Sequence, residues 1–166
     1  MVVICDTSPL SALLRVGQLD ILRHLFSKIF IPKAVYVELL ELKSFGYDIK
    51  PIVSPSEWIE IPLPGHVNDL EVKALKKFLD YGEAEVIAWA KEFFDKSVLL
   101  VIDEKKARRT AEEAGFNVIG LVGLLVKAKM EGIILDVKPL LDQIVTTTNF
   151  RISKQIYRRT LDEAGE

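Results

Sequence analysis

A single cysteine, Cys5, in 166 residues is too little for a disulfide framework or a cluster of zinc thiolates. Cys5 sits inside an apolar run and is expected to pack there as a small buried side chain. The two histidines, His24 and His66, stand in unrelated segments, and each is expected on the surface, not in catalysis. No apolar run approaches the roughly 20 residues that span a bilayer. Met1 leads directly into a strand-like run, with no charged segment and apolar stretch of a targeting signal. These absences argue for a cytoplasmic chain that makes no membrane contact. Positive charge is not in surplus either: 22 Lys and Arg face 24 Asp and Glu, a formal net charge of −2. Such a balance does not advertise a nucleic-acid binder, although setting aside four carboxylates as metal ligands would leave a slightly basic remainder. No repeat, low-complexity stretch or linker breaks the chain, so residues 1–166 are expected to form one domain with a helical tail from about residue 137.

What is present begins with "VVICDTSPL". Four apolar, mostly β-branched residues suit a parallel strand buried on both faces. The run ends on Asp6. Ser8 then reads as a helix cap with Pro9 at the first helical position. Ser97 to Ile102 is a second apolar run, and it also ends on an acid, Asp103. Between and after these come a helix over Leu19 to Phe26, a short strand over Lys28 to Ile31, and a helix restarted by Pro32. An irregular, proline-rich arm follows from Ser44 to Pro64, with Trp58 to Ile61 as a candidate strand. His66 to Leu79 is amphipathic, and "DYGEAEVIAWAKEFF" reads as a helix capped by Asp80, three residues before Glu83 as in a capping box. The helix after Asp103 stops at Gly115, a strand covers Phe116 to Ile119, and the helix from Leu121 stops at Gly132. Strands alternating with helices predict an α/β fold, a three-layer α/β/α sandwich around four or five mainly parallel strands. In such sheets ligands bind beyond the carboxyl ends of the strands, where Asp6 and Asp103 stand.

Helical geometry sorts the remaining acids, since each residue advances about 100° around the axis. Glu38 falls in the middle of the apolar stripe of Ala34, Val35 and Leu42. Glu83 shares a face with Ile87, Ala90 and Phe94, whereas Glu85 lies nearly opposite beside Glu92 and is expected in solvent. Glu83 carries two readings that the sequence leaves open, a capping-box acid or a functional carboxylate. Asp6 and Asp103 likewise suit turns. Acids are almost never fully buried unless paired or bound to a metal. Lys105, Lys106, Arg108 and Arg109 point away from their helix's small-residue stripe, so Asp6, Glu38, Glu83 and Asp103 face inward without matching bases. A divalent cation resolves that conflict, and oxygen ligands without histidine or thiolate suit Mg²⁺ or Mn²⁺.

The segments "VVICDTSPLSALLRVGQLDIL", "IPKAVYVELLE", "LDYGEAEVIAWAKE", "LLVIDEKKARRTAEEAGFNVIGLVGLLVKAKMEG" and "FRISKQIY", taken in order, resemble the PIN domains, specifically the VapC-like group of small prokaryotic PIN proteins. The resemblance implies a ribonuclease that hydrolyses RNA phosphodiester bonds with one or two Mg²⁺ or Mn²⁺ ions. The four family acids fall on Asp6, Glu38, Glu83 and Asp103, with Thr7 or Ser8 as the supporting hydroxyl. Many relatives carry an aspartate as the third acid, which keeps Glu85 beside Glu83 as a candidate. A further acid or asparagine often follows the fourth; here Glu104 is the acid in that neighbourhood. The resemblance also implies a homodimer and, for a toxin of a toxin–antitoxin pair, a small antitoxin over the acidic cleft. Lys105, Lys106, Arg108, Arg109, Arg151, Arg158 and Arg159 are candidate RNA contacts, set against a plain solvated face in which Glu104 pairs with Arg108. No aromatic-rich strand offers a stacking platform.

Rival chemistries fit less well. A haloacid-dehalogenase-type phosphatase needs a second aspartate two residues after the first, where this chain has Ser8. A signal receiver needs paired acids after the first strand, and dinucleotide binding needs a G-x-G-x-x-G that is missing. From another class, a PIN-like scaffold that binds RNA or protein without cutting remains the alternative.

Overall fold

Val2–Cys5 forms strand β1 at the centre of the sheet, and all four residues are buried. A strand covered on both faces needs such an uninterrupted apolar run. The computed structural model describes residues 1–54, 57–62, 65, 67–93 and 97–166. In it β1 pairs in parallel with β2 (Ile29–Phe30) on one side and with β4 (Val98–Val101) on the other. Beyond β2 lies β3 (Ile59–Glu60), and beyond β4 lies β5 (Asn117–Ile119), giving the order β3-β2-β1-β4-β5 with every pairing parallel. The architecture is the three-layer α/β/α sandwich, five-stranded and wholly parallel among the described residues.

Ten helices accompany the sheet among those residues: α1 (Thr7–Arg15), α2 (Asp20–Phe26), α3 (Lys33–Glu41), α4 (Lys50–Val53), α5 (Asp69–Leu75), α6 (Tyr81–Lys91), α7 (Lys105–Glu113), α8 (Leu121–Met130), α9 (Val137–Thr147) and α10 (Lys154–Ala164). One core joins them, with Ile4, Leu10, Leu13, Ile87, Leu100, Leu121 and Leu124 fully buried. Helix α6 is the most enclosed, buried at every residue from Gly82 to Ala90 because it packs on β1, β4, α3 and α5 at once. Cys5 is buried and free, and His24 is exposed on α2, as the sequence predicts.

Several boundaries differ from those expected. Helix α1 begins at Thr7 with Asp6 in the cap position, not at Pro9 after a Ser8 cap. Pro9 then falls third in the helix, where its missing N–H is one that has no intrahelical partner anyway. Pro32 is likewise the residue before α3 and not its first. The proline-rich arm is more regular than its composition suggests. A 3₁₀ turn over Leu42–Phe45 and α4 occupy it, Ile49 and Ile52 are buried, and β3 joins the sheet through Trp58 and Glu60 carbonyls that accept from the Ile29 and Ile31 N–H groups at 2.8 and 2.9 Å. Helix α5 starts at Asp69 under an Asn68 cap, whose Oδ1 accepts from the Leu70 and Glu71 N–H groups. His66, Pro55, Pro64 and Phe94 lie outside the described residues. The tail is two helices, and the Glu166 carboxylate accepts from the Val137 and Lys138 N–H groups at 2.6 and 2.9 Å, covering the first turn of α9.

Candidate active site

The strand order reverses between β1 and β4, where a crevice forms at the carboxyl edge of a parallel sheet. Both strand-end acids stand there. Asp6 follows β1, and its N–H donates to the Val101 carbonyl at 3.0 Å, holding the residue in line with β4. Asp103 follows β4; its Oδ1 accepts from the Leu121 N–H at the start of α8 at 2.8 Å. Its Oδ2 is buried and has no hydrogen-bond partner among the described residues. Burial raises the Asp103 carboxyl above its ordinary range, opposed by the Leu121 N–H and the Arg108 guanidinium.

Helices bring the other two acids. The capping box at the start of α6 is formed in full: Asp80 Oδ1 accepts from the Glu83 N–H at 2.8 Å, and Glu83 Oε2 accepts from the Asp80 N–H at 3.2 Å. Glu83 is nevertheless 95% hidden from solvent, at 5% exposure. Glu38 is half-buried on α3, and its Oε2 accepts a hydrogen bond from the Thr7 hydroxyl. Gly82 keeps these acids close. A Cβ at Gly82 would stand 3.3 Å from Glu38 Oε1 and 3.4 Å from Asp6 Oδ1, so the bare helix start fills the space between the two carboxylates.

The acids perturb one another. Burial pushes the Asp6 carboxyl up to about 8, with further upward pressure from the charges of Asp80, Glu83 and Glu38 and only the Thr7 N–H pulling down. Glu38 is raised by burial against the Thr7 hydroxyl, then by Asp80, Glu41 and Glu85. Glu83 is raised by burial against the Asp80 N–H, then by Asp80, Glu104 and Glu38. Perturbed carboxylates in a cleft mark a functional site.

A cavity of about 1000 Å³ opens over this cluster. Asp6, Ser8, Asp80, Glu83, Asp103 and Glu104 line it, together with Arg15, Arg108, Arg151 and Arg159. Thr7 serves Glu38, whereas Ser8 is exposed toward the cavity. Glu38 itself does not line the cavity; its carboxylate lies behind Thr7. Among the described residues no three His, Cys, Asp or Glu side chains are grouped as the inner ligands of one metal ion. Arg15 is not marked by the sequence at all, and Asp80 is marked there only as a helix cap, yet both line the cavity. The capping box signals where Asp80's carboxylate turns, but only the fold shows that this helix start faces the cavity.

Two expectations about charge are corrected. Glu85 is buried, not solvated, and its Oε2 accepts from the Ala34 N–H at 2.7 Å, covering the start of α3. The reason is that α6 is covered by neighbouring elements all the way from Gly82 to Ala90, so it has no solvent face at Glu85. Arg108 does not pair with Glu104. It turns inward, donating to the Ile102 carbonyl at 3.2 Å beside Asp103, while Glu104 accepts from the Ala107 N–H as the cap of α7. Of the other cations on α7, Lys105 lines the cavity, Lys106 is exposed, and Arg109 pairs outward with Glu113. Arg158 is exposed away from the cavity lining. Replacing Glu85 with alanine strands the buried Ala34 N–H, and chemical denaturation should report a loss of about 1–3 kcal/mol. An unchanged unfolding midpoint would show that Glu85 holds nothing.

Carboxylates at two strand ends and at the start of α6, over one crevice with arginines along it, suit the binding of a phosphorylated ligand through cations. No curated protein and no solved structure matches the chain. The family model described as a PIN domain matches residues 2–166. That match runs from β1 through α10 and includes all four acids, and it places the chain in the PIN domain family.

Proposed function

We propose that this chain is a Mg²⁺- or Mn²⁺-dependent endoribonuclease that hydrolyses RNA phosphodiester bonds. PIN domains share a nuclease-like fold and are generally metal-dependent. The observation that carries the reading is Asp6, a buried carboxylate pushed up to about 8 among Glu38, Glu83 and Asp80. Its raised value comes first from burial and then from the neighbouring acids, a setting in which a bound cation would stabilise the ionised carboxylate.

The donor set fits a hard divalent cation, since it is all oxygen and includes the unpartnered Asp103 Oδ2. The absence of a closed three-ligand group is no obstacle, because Mg²⁺ commonly takes only one or two carboxylates and completes its shell with waters and substrate phosphate. Asp6, Glu83 and Asp103 would hold one or two ions, with Glu38 reaching them from beside Thr7. A bound ion supplies charge neutralisation at the phosphate and activation of water for attack on phosphorus. The chain's own part is placement. Leu121 N–H and Arg108 orient Asp103, Thr7 orients Glu38, and the capping box orients Glu83. Arg15, Arg151 and Arg159 stand where RNA phosphates would run along the cavity. The likeness to small prokaryotic PIN proteins supports a cytoplasmic toxin of a toxin–antitoxin pair, a homodimer whose small antitoxin covers this cavity.

Glu83→Gln separates the two roles of Glu83, because glutamine keeps a capping-box acceptor and loses the charge. We expect the variant to melt no lower than the wild type does, while cutting of a mixed RNA pool in Mg²⁺ or Mn²⁺ falls by about a hundredfold. Cleavage by the wild type should vanish in EDTA. If the wild type leaves RNA intact with either metal, the hydrolytic reading fails, and a PIN-like scaffold that binds without cutting takes its place.

A further inference from the structure

Asp80 already has a structural duty. Its Oδ1 accepts from the Glu83 N–H at 2.8 Å and so caps α6, an 11-residue helix whose start faces the acidic cavity. Its Oδ2 has no such duty. Among the described residues that oxygen accepts no hydrogen bond, and no basic side chain pairs with the carboxylate, which is exposed toward the cavity.

Capping does not require a charge. Asparagine and serine cap a helix about as well as aspartate does, and an acid here adds to a crowded group. After burial, the charge of Asp80 is the largest neighbouring influence raising the carboxyls of Asp6, Glu38 and Glu83. The positive end of α6 favours a nearby acid, but Gly82 brings Glu38 and Asp6 to that same end. A separate observation concerns Asp103, which lines the same cavity and whose Oδ2 is buried without a partner. A carboxylate oxygen hidden from water and left without a donor points to a cation that completes it.

We propose that Asp80 is a fifth carboxylate ligand of the divalent cation, capping α6 with Oδ1 and offering Oδ2 to the ion. It is additional to Asp6, Glu38, Glu83 and Asp103, and the inference rests on the metal-dependent reading of that group. A further carboxylate oxygen suits Mg²⁺ or Mn²⁺, which prefer hard ligands. The capping box gives this ligand a fixed place. Because the Glu83 N–H holds one oxygen, the other is restrained, and a single helix start presents Asp80 and Glu83 to the cavity together. In the sequence the pair reads as an ordinary capping box; the cavity beside it marks the second role.

The test is binding of Mn²⁺ alone, with no RNA present, followed through the electron paramagnetic resonance signal of the free ion. Asp80→Asn and Asp80→Ser keep a capping oxygen and lose the charge, so both should melt no lower than the wild type in EDTA. Their affinity for Mn²⁺ should fall by about a hundredfold. The bound ion should also gain a water, read from its relaxation of the solvent protons. If both variants bind Mn²⁺ as the wild type does, Asp80 is a cap only and the proposal fails. The nuclease reading then still stands or falls on cleavage of RNA by the wild type, measured separately. A lower affinity with an unchanged number of bound waters also overturns the proposal, because Asp80 then acts through its field and not as a ligand. A wild type that binds no Mn²⁺ removes the proposal and the metal-dependent reading together.

Discussion

Asp6→Asn is expected to abolish metal-dependent cleavage of RNA and, in metal-free buffer, to make the protein harder to melt at alkaline pH. The first effect follows from the position of Asp6 at the end of β1, where it faces the cavity and touches the space filled by Gly82. Loss of an outer-shell residue commonly costs about 10–100-fold in metal affinity or activity, and a direct ligand should cost more. The second effect follows from the sign of its perturbation. The folded-state carboxyl titrates at about 8 against an ordinary 3.8, so between those values the folded protein holds a proton that the unfolded chain has released. Where the native state binds more protons, stability falls as pH rises. The decline should therefore run from roughly pH 4 to pH 8. Glu38, Glu83 and Asp103 are raised too and push in the same direction. Asparagine cannot ionise, so the variant should lose a large part of that slope. Melting curves in EDTA at pH 5, 6.5, 8 and 9 make the comparison, and Mg²⁺ added at pH 8 should then raise the melting temperature of the wild type alone. Parallel pH dependences for the two proteins would mean that Asp6 is not the strained acid of the fold.

Gly120→Ala should destabilise the protein by about 1–3 kcal/mol, the range for an atom forced into a filled space. An added Cβ would stand 2.6 Å from Arg108 Nη1 and 2.8 Å from Asp103 Oδ1, inside any real contact. The backbone is not the reason, since Gly120 has φ −102, which any residue adopts. Space is the reason: α8 presents its first N–H to Asp103 while Arg108 lies across the same spot. Something must shift. Either the guanidinium leaves the Ile102 carbonyl or the Asp103 carboxylate leaves the Leu121 N–H, and both outcomes disturb the fourth acid. Arg108→Ala in the same chain removes one of the two clashing atoms. The double variant should accordingly recover part of the stability lost by Gly120→Ala, a coupling that a double-mutant cycle reads directly. Strict additivity of the two losses would show that Arg108 and Gly120 do not compete for this space.

Much of this arrangement is legible in one dimension because its causes are local. A short apolar run that is rich in β-branched residues and ends on a turn-forming acid suits a covered strand, so β1 and β4 and the acids that follow them are readable directly. Asp80 and Glu83 are three residues apart, and the capping box forms whatever else the chain does. Gly115 and Gly132 end their helices with φ of +88° and +72°, a backbone that only glycine adopts at ease. The inward placement of Glu38 and Glu83 follows from helical period alone.

Period fails where a helix has no outside. Glu85 lies opposite Glu83 around α6, which in an ordinary surface helix would put it in water. Here it meets the start of α3, a segment 51 residues away in the chain. The same holds for Arg108, whose place on the polar side of α7 does not reveal that the β4 carboxyl end and Gly120 make an inner surface for it. Local sequence thus determined the central strands, the Asp80 cap and where the four acids stand on their elements, but not the cap of α1, which is Asp6 and not Ser8. The order β3-β2-β1-β4-β5 decided that Asp6 and Asp103 share a crevice, that Asp80 and Arg15 join it, and that Glu85 does not, because burial and charge at a site depend on which distant segments the sheet brings alongside.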